Sequence, residues 1–151
     1  MSINHDKEFK LALASLPVKR QRQIAVAFCR RVLDLCHDVR VKSALESAGR
    51  ADITEAELLL AAHTAQAARV DSFAQCGSDA GWTAQAGHFV AKAAKACVRS
   101  ATAGDNFAWD AAMQARLART CQTVADGLGT ENTEAQEQYR ILETLLRVEE
   151  T

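Results

Sequence analysis

His63 and His88 are the residues of this sequence whose type best suits chemistry, because imidazole changes charge near neutral pH and commonly ligates metals. They lie on either side of Cys76-Gly77-Ser78-Asp79, fourteen residues before Gly77 and eleven after it. A helical turn centred on Gly77 leaves a mismatch of three residues, roughly 4.5 Å of helix rise. The two imidazoles are then expected at similar heights on neighbouring helices. Two readings stay open. In one they form a paired polar site, a proton-sensitive switch or half of a metal site, with Cys97 or Asp38 as further members. In the other each is an isolated histidine, hydrogen-bonded at the edge of the core.

Other chemistry is not indicated. The sequence has no HExxH, no glycine-rich phosphate loop, no ExxH pair and no Gly-x-Ser-x-Gly elbow. Cys36 and His37 are adjacent, and neighbouring helical residues point about 100° apart, which does not make a nucleophile and base. Five cysteines, an odd number without a CxxC pair, read as reduced small core residues. Cys29 and Cys36 are expected on one face of a single helix. Asp38 and Arg40 flank a turn, the aspartate as a helix cap and the arginine in a surface pair. The expectation is a protein that is not an enzyme, with no cofactor and no metal.

The elements that must position these residues are all helical. The chain has 151 residues, 48% apolar and 25% charged, with one proline and a net charge of −1. That suits one domain with a real core and gives no basic stripe for nucleic acid. No run approaches the 18 apolar residues of a membrane span, and residues 1–7 lack a signal-peptide layout, so a cytoplasmic protein is expected.

The reading is an all-α, single-domain bundle of about seven helices around an alanine-rich hairpin. Its first arm opens at Thr54-Glu55-Ala56-Glu57, a capping box, with Ile53 and Leu58 as a hydrophobic staple. Its second arm is expected from Ser78-Asp79 to Gly104, with Gly81 and Gly87 marking close backbone contact. Around it stand helices at Asp6 to Ser15, Val18 to His37, Val39 to Ala48 and Phe107 to Asp126. A last helix is capped by Thr133, with Gln136 at the capping-box position. The basic run Lys19-Arg20-Gln21-Arg22 reads as a solvated face, and Arg116 and Arg119 as pointing to solvent. The stripe Tyr139, Leu142, Leu145, Leu146 and Val148 must dock on the bundle or serve as a subunit interface.

Two segments, Ala61-Ala62-His63-Thr64-Ala65-Gln66-Ala67-Ala68-Arg69 and Ala86-Gly87-His88-Phe89-Val90-Ala91, resemble a bacterial family of alanine-rich immunity proteins of polymorphic toxin systems. Asp38-Val39-Arg40 is similar to the Asp-Pro-Arg turn upstream in that family. The similarity spans roughly residues 25–101. Val39 stands where the family usually has proline, and Ala94 where many members place a further histidine. The resemblance implies a helical protein that binds a cognate toxin and masks its active site, with His63, His88, Asp38 and Arg40 as partner-binding residues. Two other classes are weighed beside it: a small metal protein or enzyme built on His63 and His88, and a homodimeric scaffold joined through the Tyr139 to Val148 face.

Overall fold

A computed structural model describes residues 2–76, 81–102 and 104–150, with backbone alone for residues 149 and 150. Seven α-helices account for most of these residues: α1 (Asp6–Ala14), α2 (Val18–Arg30), α3 (Val39–Ala48), α4 (Glu55–Gln75), α5 (Trp82–Cys97), α6 (Phe107–Ala125) and α7 (Glu134–Glu150). There is no strand among the described residues. The fold is an all-α bundle.

The best-signalled helix starts are where the caps put them. Thr54 accepts from the Glu57 N–H while the Glu57 carboxylate accepts from the Thr54 N–H, a complete capping box at α4. Asp38 caps α3 by accepting from the Arg40 N–H at 2.9 Å. Pro17 stands immediately before α2, where its missing N–H costs nothing.

Four expectations are corrected. First, α2 stops at Arg30, and a short 3₁₀ turn (Leu33–Leu35) leads to an extended Cys36. The Arg31 carbonyl is taken by Arg119 Nη2 at 2.9 Å instead of a following helical N–H. Cys29 and Cys36 therefore do not share a helix face. Second, α5 starts at Trp82 with Gly81 as its N-cap and ends at Cys97, not Gly104. The Cys97 and Arg99 carbonyls accept from Arg22 Nη1 at 2.6 and 3.1 Å, which closes the helix. The expected turn Gly77-Ser78-Asp79 lies outside the described residues.

Third, the basic run is solvated only in its first half: Lys19 is exposed, whereas Gln21 and Arg22 are buried. Gln21 Oε1 accepts from the first-turn Ala108 N–H of α6, while Arg22 lies over the Phe107 ring. Arg116 and Arg119 also turn inward, though only partly buried. Arg116 reaches Asp6 and Gln138 and stacks against Phe9, Trp109 and Tyr139. Arg119 joins Arg31 on the buried Glu134 carboxylate. Fourth, α7 does begin directly after Thr133, whose carbonyl accepts from the Glu137 N–H at 3.0 Å, but in place of the expected Thr133–Gln136 capping box the Glu134 N–H donates to the Asn132 side chain.

The alanine packing is densest between α5 and α6 rather than within the expected hairpin. Ala86, Ala93, Ala94, Ala108, Ala111 and Ala115 are buried there, so the two backbones can approach towards the lower end of the roughly 8 to 10 Å interaxial range. Phe9, Phe28 and Phe107, all fully buried, supply the bulk that alanines lack. The α7 stripe docks on this core: Leu142 is fully buried, Tyr139, Leu145 and Leu146 pack against it, and Val148 stays exposed.

Candidate binding face and cleft

α4 and α5 are antiparallel, tied by Gln66 to Lys95, Ser72 to His88 and Cys76 to Ala84. This register decides the histidine pair. His88 stands opposite Ser72, nine residues beyond His63, or about 13.5 Å along α4. The two imidazoles are therefore not at similar heights and do not share a site. Among the described residues no group of three histidine, cysteine or acidic side chains is arranged to hold a metal.

His88 instead joins Asp38. A cleft of about 670 Å³ opens between the segment after α2, the end of α4 and the start of α5, lined by Cys36, His37, Asp38, Ser72, Gly87 and His88 among others. The backbone of Leu35 and Cys36 packs beside Gly87, where a Cβ would meet the Leu35 carbonyl oxygen at 3.4 Å, an ordinary van der Waals contact. Gly81 has no neighbour within 4 Å, so of the two glycines only Gly87 has another backbone beside it.

On the rim, Arg40 forks onto both Asp38 oxygens, at 3.0 Å from Nε and 2.7 Å from Nη2, and reaches Asp71 on α4 at 2.8 Å. The guanidinium holds the Asp38 carboxyl below its ordinary range, and its two carboxylate partners raise its own pKa. This bridge ties α3 to α4. Asp38 thus acts as a cap and Arg40 as a surface pair, as expected of them locally.

His88 Nδ1 lies 2.8 Å from Ser72 Oγ, with Phe73 and Phe89 beside the ring. The Ser72 hydroxyl also lies 2.9 Å from the Arg69 carbonyl. A hydroxyl has one proton, so when it donates to that carbonyl the imidazole must donate from Nδ1, leaving Nε2 as an acceptor. Burial, then the cations Lys92 and Arg69, push the His88 pKa down, which favours the neutral ring. Cys36 is a weak nucleophile in this cleft because burial pushes its thiol up.

His63 sits elsewhere, on the outward face of α4. The inward face is alanine: Ala61, Ala65 and Ala68 are buried. The large residues look out, with Leu59 62%, Leu60 68%, Val70 49% and Phe73 68% exposed. Close helix packing favours small side chains inside and leaves leucines without a place there. His63 is one turn from Leu59 and Leu60 on one side and from Ala67 on the other, so it stands within an apolar stripe. The stripe runs from Ala56 to Phe73 and meets the Asp38–Arg40–Asp71 rim at its far end.

Sequence reading missed that Leu59, Leu60, Val70 and Phe73 are exposed. The signal was present: Leu59, Leu60, Val70 and Phe73 fall on the side of α4 away from Ala61, Ala65 and Ala68, so one of the two apolar sets must stay uncovered. No protein-family model, no curated protein and no solved structure matches this chain. No helix among the described residues is long and apolar enough to cross a membrane.

Proposed function

We propose that the protein is a non-catalytic binding protein of the bacterial cytoplasm, an immunity-type protein that neutralises a cognate toxin by covering the toxin's active site. The observation that carries this reading is the outward face of α4, where Leu59 and Leu60 stand one turn from His63 and Val70 and Phe73 lie exposed farther along the same helix. Contiguous exposed apolar surface of this kind commonly marks a protein interface. Each of these side chains is worth about 1.5–3 kcal/mol when fully buried, a gain offset in part by the entropy lost on association.

The four residues singled out by the resemblance take different parts. His63 lies within the apolar stripe and offers a polar contact there. Asp38 and Arg40 form the charged rim at its end, and His88 lines the adjoining cleft. The occupant is a folded toxin domain that presents an apolar patch to α4 and polar groups to the rim.

The test is co-expression with the toxins encoded beside its gene. The reading predicts that one neighbour is toxic alone, that this chain restores growth, and that the two proteins co-purify in equal amounts. Failure to suppress any toxic neighbour would remove the immunity reading.

A further inference from the structure

A second cleft, of about 350 Å³, lies between α4, α5 and α6, away from the outward face of α4. Arg69, Lys92, Lys95 and Arg99 line it together with Asp110 and Gln114. Arg99 is compensated by Asp105 at 2.8 Å and Asp110 at 2.7 Å. The other three cations are not. Among the described residues no carboxylate lies within ion-pair distance of Arg69, Lys92 or Lys95.

Their contacts are neutral. Gln66 Oε1 accepts from both Arg69 Nε, at 3.0 Å, and Lys95 Nζ, at 2.5 Å, while Lys92 lies 5.6 Å over the Phe89 ring. Gln66 thus occupies the place where a glutamate would complete an ion-pair network. Four cations against two carboxylates leave two positive charges around the cleft.

Gln114 adds a neutral amide to these cations. Gln114 Oε1 is buried and has no hydrogen-bond partner. An orphaned buried amide oxygen costs about 1–3 kcal/mol, and with that oxygen sealed from solvent it is the Gln114 Nε2, neither buried nor hydrogen-bonded, that offers N–H donors to the cleft. We infer that this cleft binds a doubly charged phosphoryl group, held by Arg69, Lys92 and Lys95 and by the Gln114 amide. A dianion matches the excess charge, which a single carboxylate does not. The guanidinium and ammonium groups supply the charge-assisted donors that phosphate oxygens accept. This inference is independent of the toxin-binding reading, since its residues are not those of the apolar stripe.

The experiment is calorimetric titration of the whole chain with inorganic phosphate, and with glucose 6-phosphate against glucose. Saturable binding of one phosphate is expected, weakened by added salt, with glucose inert. Equal affinity for both phosphate probes means that the cleft reads the phosphoryl group alone. Tighter binding of the ester means that it also reads the organic part, and either result supports the site. Lys92→Gln with Lys95→Gln should weaken binding by at least about tenfold. Gln66→Glu supplies the missing counter-charge in place, so it should keep or raise the melting temperature while abolishing phosphate binding. Absence of saturable binding up to about 10 mM phosphate, or undiminished binding by Gln66→Glu, would overturn the inference.

Discussion

Replacing Glu134 with alanine probes the contact that fixes α7 and the break after α2 at once. Its side chain is 1% exposed, and its two oxygens accept from Arg31 Nε at 2.7 Å, Arg31 Nη2 at 3.3 Å and Arg119 Nε at 3.0 Å. Removing one member of a buried ion pair costs about 3–5 kcal/mol when the remaining charge is trapped. Here the arginines are 34% and 20% exposed, and Arg119 keeps Gln122 and the Arg31 carbonyl as acceptors. Partial access to water places the loss lower, at about 2–3 kcal/mol. For a chain of this size each kcal/mol moves the melting temperature by about 2–4 °C, so a fall of about 4–12 °C is expected. Urea unfolding of Glu134→Ala, Arg119→Ala and the double variant measures the coupling, which should be at least about 0.5 kcal/mol. A Glu134→Ala variant within about 0.5 kcal/mol of the parent, or strictly additive losses, would refute the reasoning.

Two further outcomes follow from the cleft beside Asp38. The folded-state pKa of His88 is depressed, so below the ordinary value near 6.5 the unfolded chain binds the proton that the folded chain resists. Stability contributed by the neutral ring is therefore complete above that pH and declines as pH falls through the window below it. His88→Gln should flatten that part of the stability curve, and proton NMR should show the His88 ring titrating below 6.5; titration above 6.5 would contradict the burial argument. Gly81 caps α5 without any side-chain acceptor and has open space where a Cβ would go. Gly81→Asp should stabilise the protein by about 0.5 kcal/mol, through a cap hydrogen bond and the helix dipole, and a loss of stability on thermal melting would show that the cap geometry is wrong.

What was legible in the sequence was whatever depended on near neighbours. The Thr54 capping box, the Asp38 cap and the Pro17 boundary involve residues two to four apart, and those helix starts fell in place. What was not legible came from across the fold. The end of α2 depends on Arg119, 88 positions away, and the end of α5 on Arg22, 75 positions away. Those same long reaches turn basic residues inward that look like solvated surface in one dimension. The histidine pair failed for a related reason: the register of α4 on α5 is set by pairs such as Ser72 with His88, which a turn position alone does not specify. Asp38 and His88 do line one cleft, with Arg40 at its rim, while His63 belongs to the outer face of α4.

That outer face carries the functional account, and one affinity measurement tests it. With the toxin identified by co-expression, the dissociation constant is measured for the parent chain and for Leu60→Asp, a change at an exposed position that leaves the buried alanines of α4 untouched. The account predicts binding weakened by at least about a hundredfold, equivalent to roughly 2.7 kcal/mol, with an unchanged melting temperature. Full affinity in that variant, with the complex otherwise intact, would place the interface elsewhere on the molecule.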